Sequence, residues 1–341
     1  MKKVVALIML SAALCAARAQ VAGMSTLSVL DMPLSARAAG LGFDYLAVGA
    51  NDVSLCLGNP SLISESVSGQ VALGYVNMFG LANFGSVAYG QHFKHAGSFA
   101  FGLQYASYGR FEGYNEYDQP TGSFQAADYV LTIGWGRRVG EHVYIGAALK
   151  PVLSHYESYT AFALGIDLAG TYLSADSAFC ATVMGRNIGA QIATFDGHVE
   201  RLPFELSVAG SYRLQDAPFR LMLALTELQR WNLAYEDPLN PTSVRDPFTG
   251  EVTKQSEVAR ILDNAGRHVN VGIELTLGRA LFLRLGYSYR QMVEMKAADR
   301  FNTSGFSFGI GLRVKGFELS YARNNYHLSQ APNFISVIFG F

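Results

Sequence analysis

Residues 269–290 read VNVGIELTLGRALFLRLGYSYR. In the first half, Val269, Val271, Ile273, Leu275 and Leu277 alternate with Asn270, Gly272, Glu274, Thr276 and Gly278. In the second, Leu281, Leu283, Leu285, Tyr287 and Tyr289 alternate with Phe282, Arg284, Gly286, Ser288 and Arg290. A period of two marks a strand with one apolar face, and two such runs around a short Gly-containing break read as a hairpin. With Leu277 facing Leu281 across the turn, Glu274 falls opposite Arg284 on the polar face. FSFGIGLRVK at 306–315 follows the same design. Lys315-Gly316 then reads as a two-residue turn, which sets Arg313 opposite Glu318. These are expected ion pairs on one face, and a one-residue slip would turn them to the other.

The polar faces decide which side is wet. A soluble sandwich turns Lys, Glu and Thr outward. Here the polar faces are small, with Gly, Ala and Ser and an occasional charge, as in AFALGIDLAGTY (161–172) and FELSVAGSYR (204–213). That suits a crowded barrel interior with the apolar face toward lipid. Half of the residues are hydrophobic, 16% are charged, 12% are aromatic and 35 are Gly. Beyond the first residues, no apolar run reaches the ~20 residues of a membrane helix. A net charge of −1 speaks against a nucleic-acid surface.

Such segments number about fourteen, starting near Gln70, Phe84, Ser98, Asp128, Val143, Thr160, Phe179, Phe204, Phe219, His268, Leu281, Phe306, Phe317 and Asn333. The expected fold is all-β: a transmembrane antiparallel β-barrel spanning 69–341. A sheet in hydrocarbon must close, because an open edge leaves backbone groups unpaired. Short links such as QDAP and GRA largely alternate with long ones at Gly109–Ala126, Gly185–Pro203, Leu228–Arg267 and Gln291–Ser304. Short periplasmic turns and long outer loops are usual in such barrels. An even strand number puts both termini in the periplasm of a Gram-negative bacterium.

The start, MKKVVALIMLSAALCAARAQ, has Lys2 and Lys3, a short apolar stretch and a small-x-small site at Ala17-Arg18-Ala19. Residues 1–19 read as a signal peptide. Leu14 makes Cys15 a poor lipoprotein cysteine. The other end, NFISVIFGF at 333–341, keeps the alternation to Phe341 and reads as the strand that closes the barrel against the first. Cys56 and Cys180 remain after cleavage and admit either a disulfide or two structural thiols.

Residues 20–68 lack a strand period. Their apolar content would be left in water in a periplasmic tail, and a lumen of this width needs filling. They read as an N-terminal plug, with Ser35–Leu41 a short helix and Asn59-Pro60 a turn. Arg37, among alanines, needs an inward carboxylate or backbone carbonyls as a partner.

The segments PLSARAAGLG and NPSLIS, with the signal peptide and the strand count, resemble the FadL-like family of outer-membrane proteins. Within it, LQYASYGRFEGYNEYDQPTGSFQAADYVLTIG, MGRNIGAQIATF and ERLPFELSVAGSYRL resemble the PorQ proteins of the type IX secretion system of Bacteroidetes-type bacteria. The resemblance covers nearly the whole chain after residue 19. It implies a non-enzymatic component that tethers a PorZ-like surface partner in an attachment complex with PorU and PorV. The competing function on the same scaffold is a FadL-like channel for uptake of hydrophobic small molecules. A C-terminal strand ending in Phe also resembles an outer-membrane insertion signal.

No chemical motif competes with these readings. His92 and His95 have H-x-x-H spacing without an evident third ligand. Asp128, Asp167, Glu205, Glu274 and Glu318 lie on inward faces, where Arg213, Arg284 and Arg313 can neutralise them. Asp176-Ser177-Ala178 resembles a short periplasmic O-glycosylation site, and Asn302 reads as a loop residue. No catalytic, cofactor or metal site is expected. The longest link carries Trp231, Tyr235 and Phe248 as aromatic anchors for a partner, with Arg245, Asp246, Glu251 and Lys254 as a polar rim.

Overall fold

The computed structural model of the chain describes residues 26–42, 47–48, 51–80, 82–234, 244–245, 252–253, 256–295, 303–325 and 331–340. Fourteen antiparallel strands close into one barrel, each beside its sequence neighbours. They are β1 (Val71–Met78), β2 (Ala82–Phe93), β3 (Gly97–Tyr114), β4 (Pro120–Val139), β5 (Val143–Tyr156), β6 (Tyr159–Leu173) and β7 (Phe179–Ala193). The second half comprises β8 (Glu205–Arg213), β9 (Phe219–Leu225), β10 (Val269–Leu277), β11 (Leu281–Ser288), β12 (Phe306–Val314), β13 (Phe317–Asn324) and β14 (Asn333–Phe339). β14 pairs with β1 from Val71↔Phe339 to Asn77↔Asn333, so no edge is left open.

The alternation sorts the two faces. Leu73, Val87, Leu103, Leu283, Leu285, Leu319 and Ile335 are exposed outside. Their neighbours Ala72, Ala88, Arg284, Ser320 and Ser336 are buried inside. An apolar band on this scale is stable against hydrocarbon and not against water. No helix of the described residues is long and apolar enough to cross a membrane.

One expected link proves to be largely strand and another about half strand. β3 runs to Tyr114 and β4 begins at Pro120, so Gly109–Ala126 shrinks to the turn 115–119. The pairing resumes from Arg110↔Gln125 after a register shift at Ser107. That shift breaks the period. Beyond it the stretch is mostly exposed on both faces, so nothing demands alternation. Similarly, β7 continues to Ala193, and the link after it is 194–204. It folds inward, with Leu202 buried. The link after β9 contains a helix, α3 (Glu257–Arg267), and a two-residue ribbon pairing Val244–Arg245 with Val252–Thr253. The link after β11 opens with α4 (Tyr289–Glu294).

Before β1 the chain makes short helical turns. α1 (Ala36–Gly40) is capped by Ser35, whose hydroxyl accepts the Arg37 N–H at 3.2 Å. α2 (Val53–Cys56) is capped by Asp52. Asn59 accepts the Ser61 N–H at 3.2 Å, and Pro60 opens a 3₁₀ turn over Pro60–Leu62. The helix expected over Ser35–Leu41 is thus one residue shorter at each end.

These turns pack against inward faces of the sheet. A Cβ on Gly286 would stand 2.1 Å from the Leu41 carbonyl carbon, and one on Gly146 would stand 2.2 Å from that of Pro60. Only glycine lets the backbones approach so closely. The segment starts at the long-link end, where the Thr26 N–H donates to Arg201 O at 3.1 Å. It finishes at the other end, where the Gly69 N–H donates to Gly90 O at 2.8 Å just before β1. The even strand count therefore places Val71 and Phe339 at one end, while Thr26 lies at the other.

Candidate functional site

Four charged side chains of the inner wall and Arg37 of α1 form a continuous line. Register places Glu274 opposite both Arg220 and Arg284, and Arg313 opposite Glu318. Arg37 reaches Glu274 with Nε at 2.9 Å and Nη2 at 2.7 Å. Arg284 donates Nε to Glu274 at 2.9 Å, Nη1 to the Ser320 hydroxyl at 2.9 Å and Nη2 to Glu318 at 3.4 Å. Arg313 closes the line on Glu318 with Nε at 2.9 Å and Nη2 at 2.6 Å. Glu274, Arg284 and Glu318 are almost fully buried. Such charges persist away from water only when paired and hydrogen-bonded.

The other inward acids have partners that sequence reasoning missed. Asp167 pairs with Lys150, and Glu205 with Arg186 at 3.2 Å. Asp128 accepts the hydroxyls of Tyr108 at 2.6 Å and Tyr156 at 3.0 Å. Arg213, expected to neutralise an acid, instead faces Arg220 across the β8–β9 hairpin. Lys150 is buried in the apolar run ALKPV, and two apolar neighbours and one inward charge was the available clue.

Asn59 and Pro60 sit where the segment meets β5, β6 and β7. The Asn59 amide lies 3.4 Å from the Thr182 hydroxyl, and Ser61 and Thr171 share a hydrogen bond at 2.6 Å. Cys56 and Cys180 are both buried free thiols. His92 is hydrogen-bonded to the Ser98 hydroxyl at 2.8 Å. Among the described residues, no three His, Cys, Asp or Glu side chains gather as a metal site needs. Asp176 shapes a short turn, its carboxylate accepting the Ala178 N–H at 3.0 Å.

At the long-link end, Trp231 is 65% exposed and stacks on His268 with ring centres 5.6 Å apart. Asn264 of α3 donates to the Trp231 carbonyl and accepts the Leu233 N–H at 2.7 Å, which ties the link to the helix. α3 leaves Val258, Ile261 and Leu262 exposed, three apolar residues at one helical spacing. Tyr235, Phe248, Asp246, Glu251, Lys254 and Asn302 lie outside the described residues.

The closed fourteen-strand barrel has the fold of solved hydrocarbon channels. The toluene transporter TbuX of Ralstonia pickettii aligns with a TM-score of 0.50 and 11% identity, over 92% of this chain and 100% of that one. The deltaS2 mutant of the monoaromatic hydrocarbon channel TodX aligns with a TM-score of 0.54 and 13% identity, over 92% and 98%. A Pseudomonas aeruginosa FadL homologue aligns with a TM-score of 0.48 and 10% identity, over 89% and 98%. At these identities the property shared with TbuX and TodX is the fold. No protein-family model matches the chain, and no curated protein matches it.

Proposed function

We propose that this barrel is a non-enzymatic PorQ-type component of a type IX secretion system, holding a surface partner at its long-link face. The observation that carries this reading is the stripe Val258, Ile261 and Leu262, exposed on α3 beside Trp231. An apolar helix face in water is a surface for a partner. Tyr235 and Phe248 would add anchors from the same link. The partner is a PorZ-like protein, with PorU and PorV in the same complex, as the sequence resemblance implies. In this reading residues 1–19 are removed on export. Residues 20–68 seal the lumen, and the short turns face the periplasm.

The experiment compares native outer-membrane pull-downs of the wild type and of V258S/I261S/L262S. The wild type should carry the surface partner. The triple variant should lose it while still running as a heat-modifiable barrel. Full retention by that variant moves docking off α3. A bound lipid or hydrocarbon with no secretion component overturns the tether.

The fold comparisons favour a second reading, uptake of hydrophobic molecules, since two of the neighbours above are a toluene transporter and a monoaromatic hydrocarbon channel. They support no secretion role. Leu30, Met32, Leu34, Leu57 and Val130 line an internal cavity, but Gln104, Thr132, Lys150 and Arg186 line it too and its volume is about 10 Å³, room for roughly one water. Uptake through it requires residues 26–68 to shift. Saturable binding of toluene or a fatty acid by the purified protein would support this reading.

A further inference from the structure

The lumen holds a second cavity, of about 250 Å³. Arg37 and Asn51 of the N-terminal segment, Arg213 and Arg220 of the β8–β9 hairpin, Glu274, Phe282 and Arg313 line it, four arginines against one carboxylate. Ala217 and Pro218 of the short turn between β8 and β9 lie at its rim, which places it at the short-turn end.

Arg213 and Arg220 are direct cross-strand partners. Like charges so placed destabilise a sheet. The nearby acids are already engaged. Glu274 takes Arg37 and Arg284, and Glu318 takes Arg284 and Arg313. Three guanidiniums therefore share two carboxylates. Asp52 is turned to Ser54, accepting its N–H at 2.9 Å and its hydroxyl at 2.5 Å. Among the described residues, Arg220 lies across from Glu274 but hydrogen-bonds only the Ser211 hydroxyl, at 3.1 Å, and Arg213 makes no ion pair. The cavity thus carries surplus positive charge in a recess that the sheet shields from lipid.

We infer that this cavity binds an oxyanion, a phosphate or carboxylate group that enters from the short-turn end. Guanidinium forks match planar and tetrahedral oxyanions with paired N–H donors. An anion between Arg213 and Arg220 removes the repulsion that the bare hairpin holds. The inference is independent of the tether and uptake readings, because it concerns the opposite end of the barrel.

The test titrates the full protein in nonionic detergent with citrate and with inorganic phosphate by calorimetry. Saturable binding of at least one of them is expected, weakened at least tenfold in R213Q/R220Q. It should be unchanged in R110Q, an exposed arginine of the β3–β4 hairpin. R213K/R220K keeps the charge and loses the fork, so it should fall between. No saturable binding by the wild type, or equal affinity in R213Q/R220Q, overturns the site. If the double variant yields no heat-resistant barrel, R213Q alone decides in the same way, since Arg213 is exposed. Nanodiscs then separate the sources. Binding lost in phosphatidylglycerol discs and kept in phosphatidylcholine discs identifies an anionic lipid headgroup, reaching in from the short-turn end, as the occupant. Equal binding in both identifies a soluble anion.

Discussion

Arg37 and Glu274 stand 237 residues apart in sequence and meet through two hydrogen bonds inside the barrel. Glu274 also receives Arg284, so one carboxylate ties the N-terminal segment to two neighbouring strands. The pair's net worth is small, because desolvation offsets attraction. Breaking it is costly, because a buried charge is left behind. Glu274→Gln leaves Arg37 and Arg284 without their shared partner and should cost about 3–5 kcal/mol. Arg37→Met should cost less, since Glu274 keeps Arg284. Urea unfolding in detergent checks the order of the two, and a milder effect for Glu274→Gln would refute it.

Gly286 offers a test of the segment's seat. A Cβ there meets the Leu41 backbone at 2.1 Å, which cannot yield without moving the segment. Gly286→Ala should leave the barrel heat-resistant and expose residues 26–68 to protease. Gly170→Ala is the control, since a Cβ at Gly170 meets nothing within 4 Å. Equal protease resistance in both variants would show that the contact does not hold the segment.

The sealing role proposed for the segment has an electrical readout. Deleting 25–66 should raise single-channel conductance in planar bilayers, because the lumen's inner face is polar. Conductance equal to the wild type, with insertion verified, would show that something else closes the barrel.

What was legible in the sequence follows from physics. The register of Glu274 with Arg284 could be read because a three-residue turn fixes it and lipid enforces the alternation on either side. The fourteen-strand count could be read for the same reason. The upper parts of β3 and β4 could not, because Gly109–Ala126 stands where no lipid selects a face. Glu205 was read as inward, but its partner Arg186 escaped because β7 carries a bulge, with register shifting between Ile166 and Leu168 on the neighbouring strand and Asn187 at φ 53°. A bulge changes which face later residues take. The charged cavity was invisible for another reason. Arg213 and Arg220 look like ordinary lumen charges until the hairpin register sets them face to face.

The last prediction concerns acid and the link after β9. Glu227 accepts Arg230 Nη2 at 2.9 Å and Arg290 Nη1 at 3.1 Å, which joins that link to α4. Burial alone would raise its carboxyl. Arg290 and Arg230 outweigh burial and hold it below the usual carboxylate range. A carboxyl lowered by folding adds stability that is fully present above its unfolded value. That stability is lost as pH falls through the lowered, folded value. Hydrogen exchange over 226–233 and 289–295 should therefore quicken as pH drops through the acidic range, beyond the intrinsic pH dependence of exchange. Glu227→Gln should exchange quickly at neutral pH and show no such added step. A wild-type profile without that step, or one that Glu227→Gln reproduces, would show that the two arginines do not hold the link.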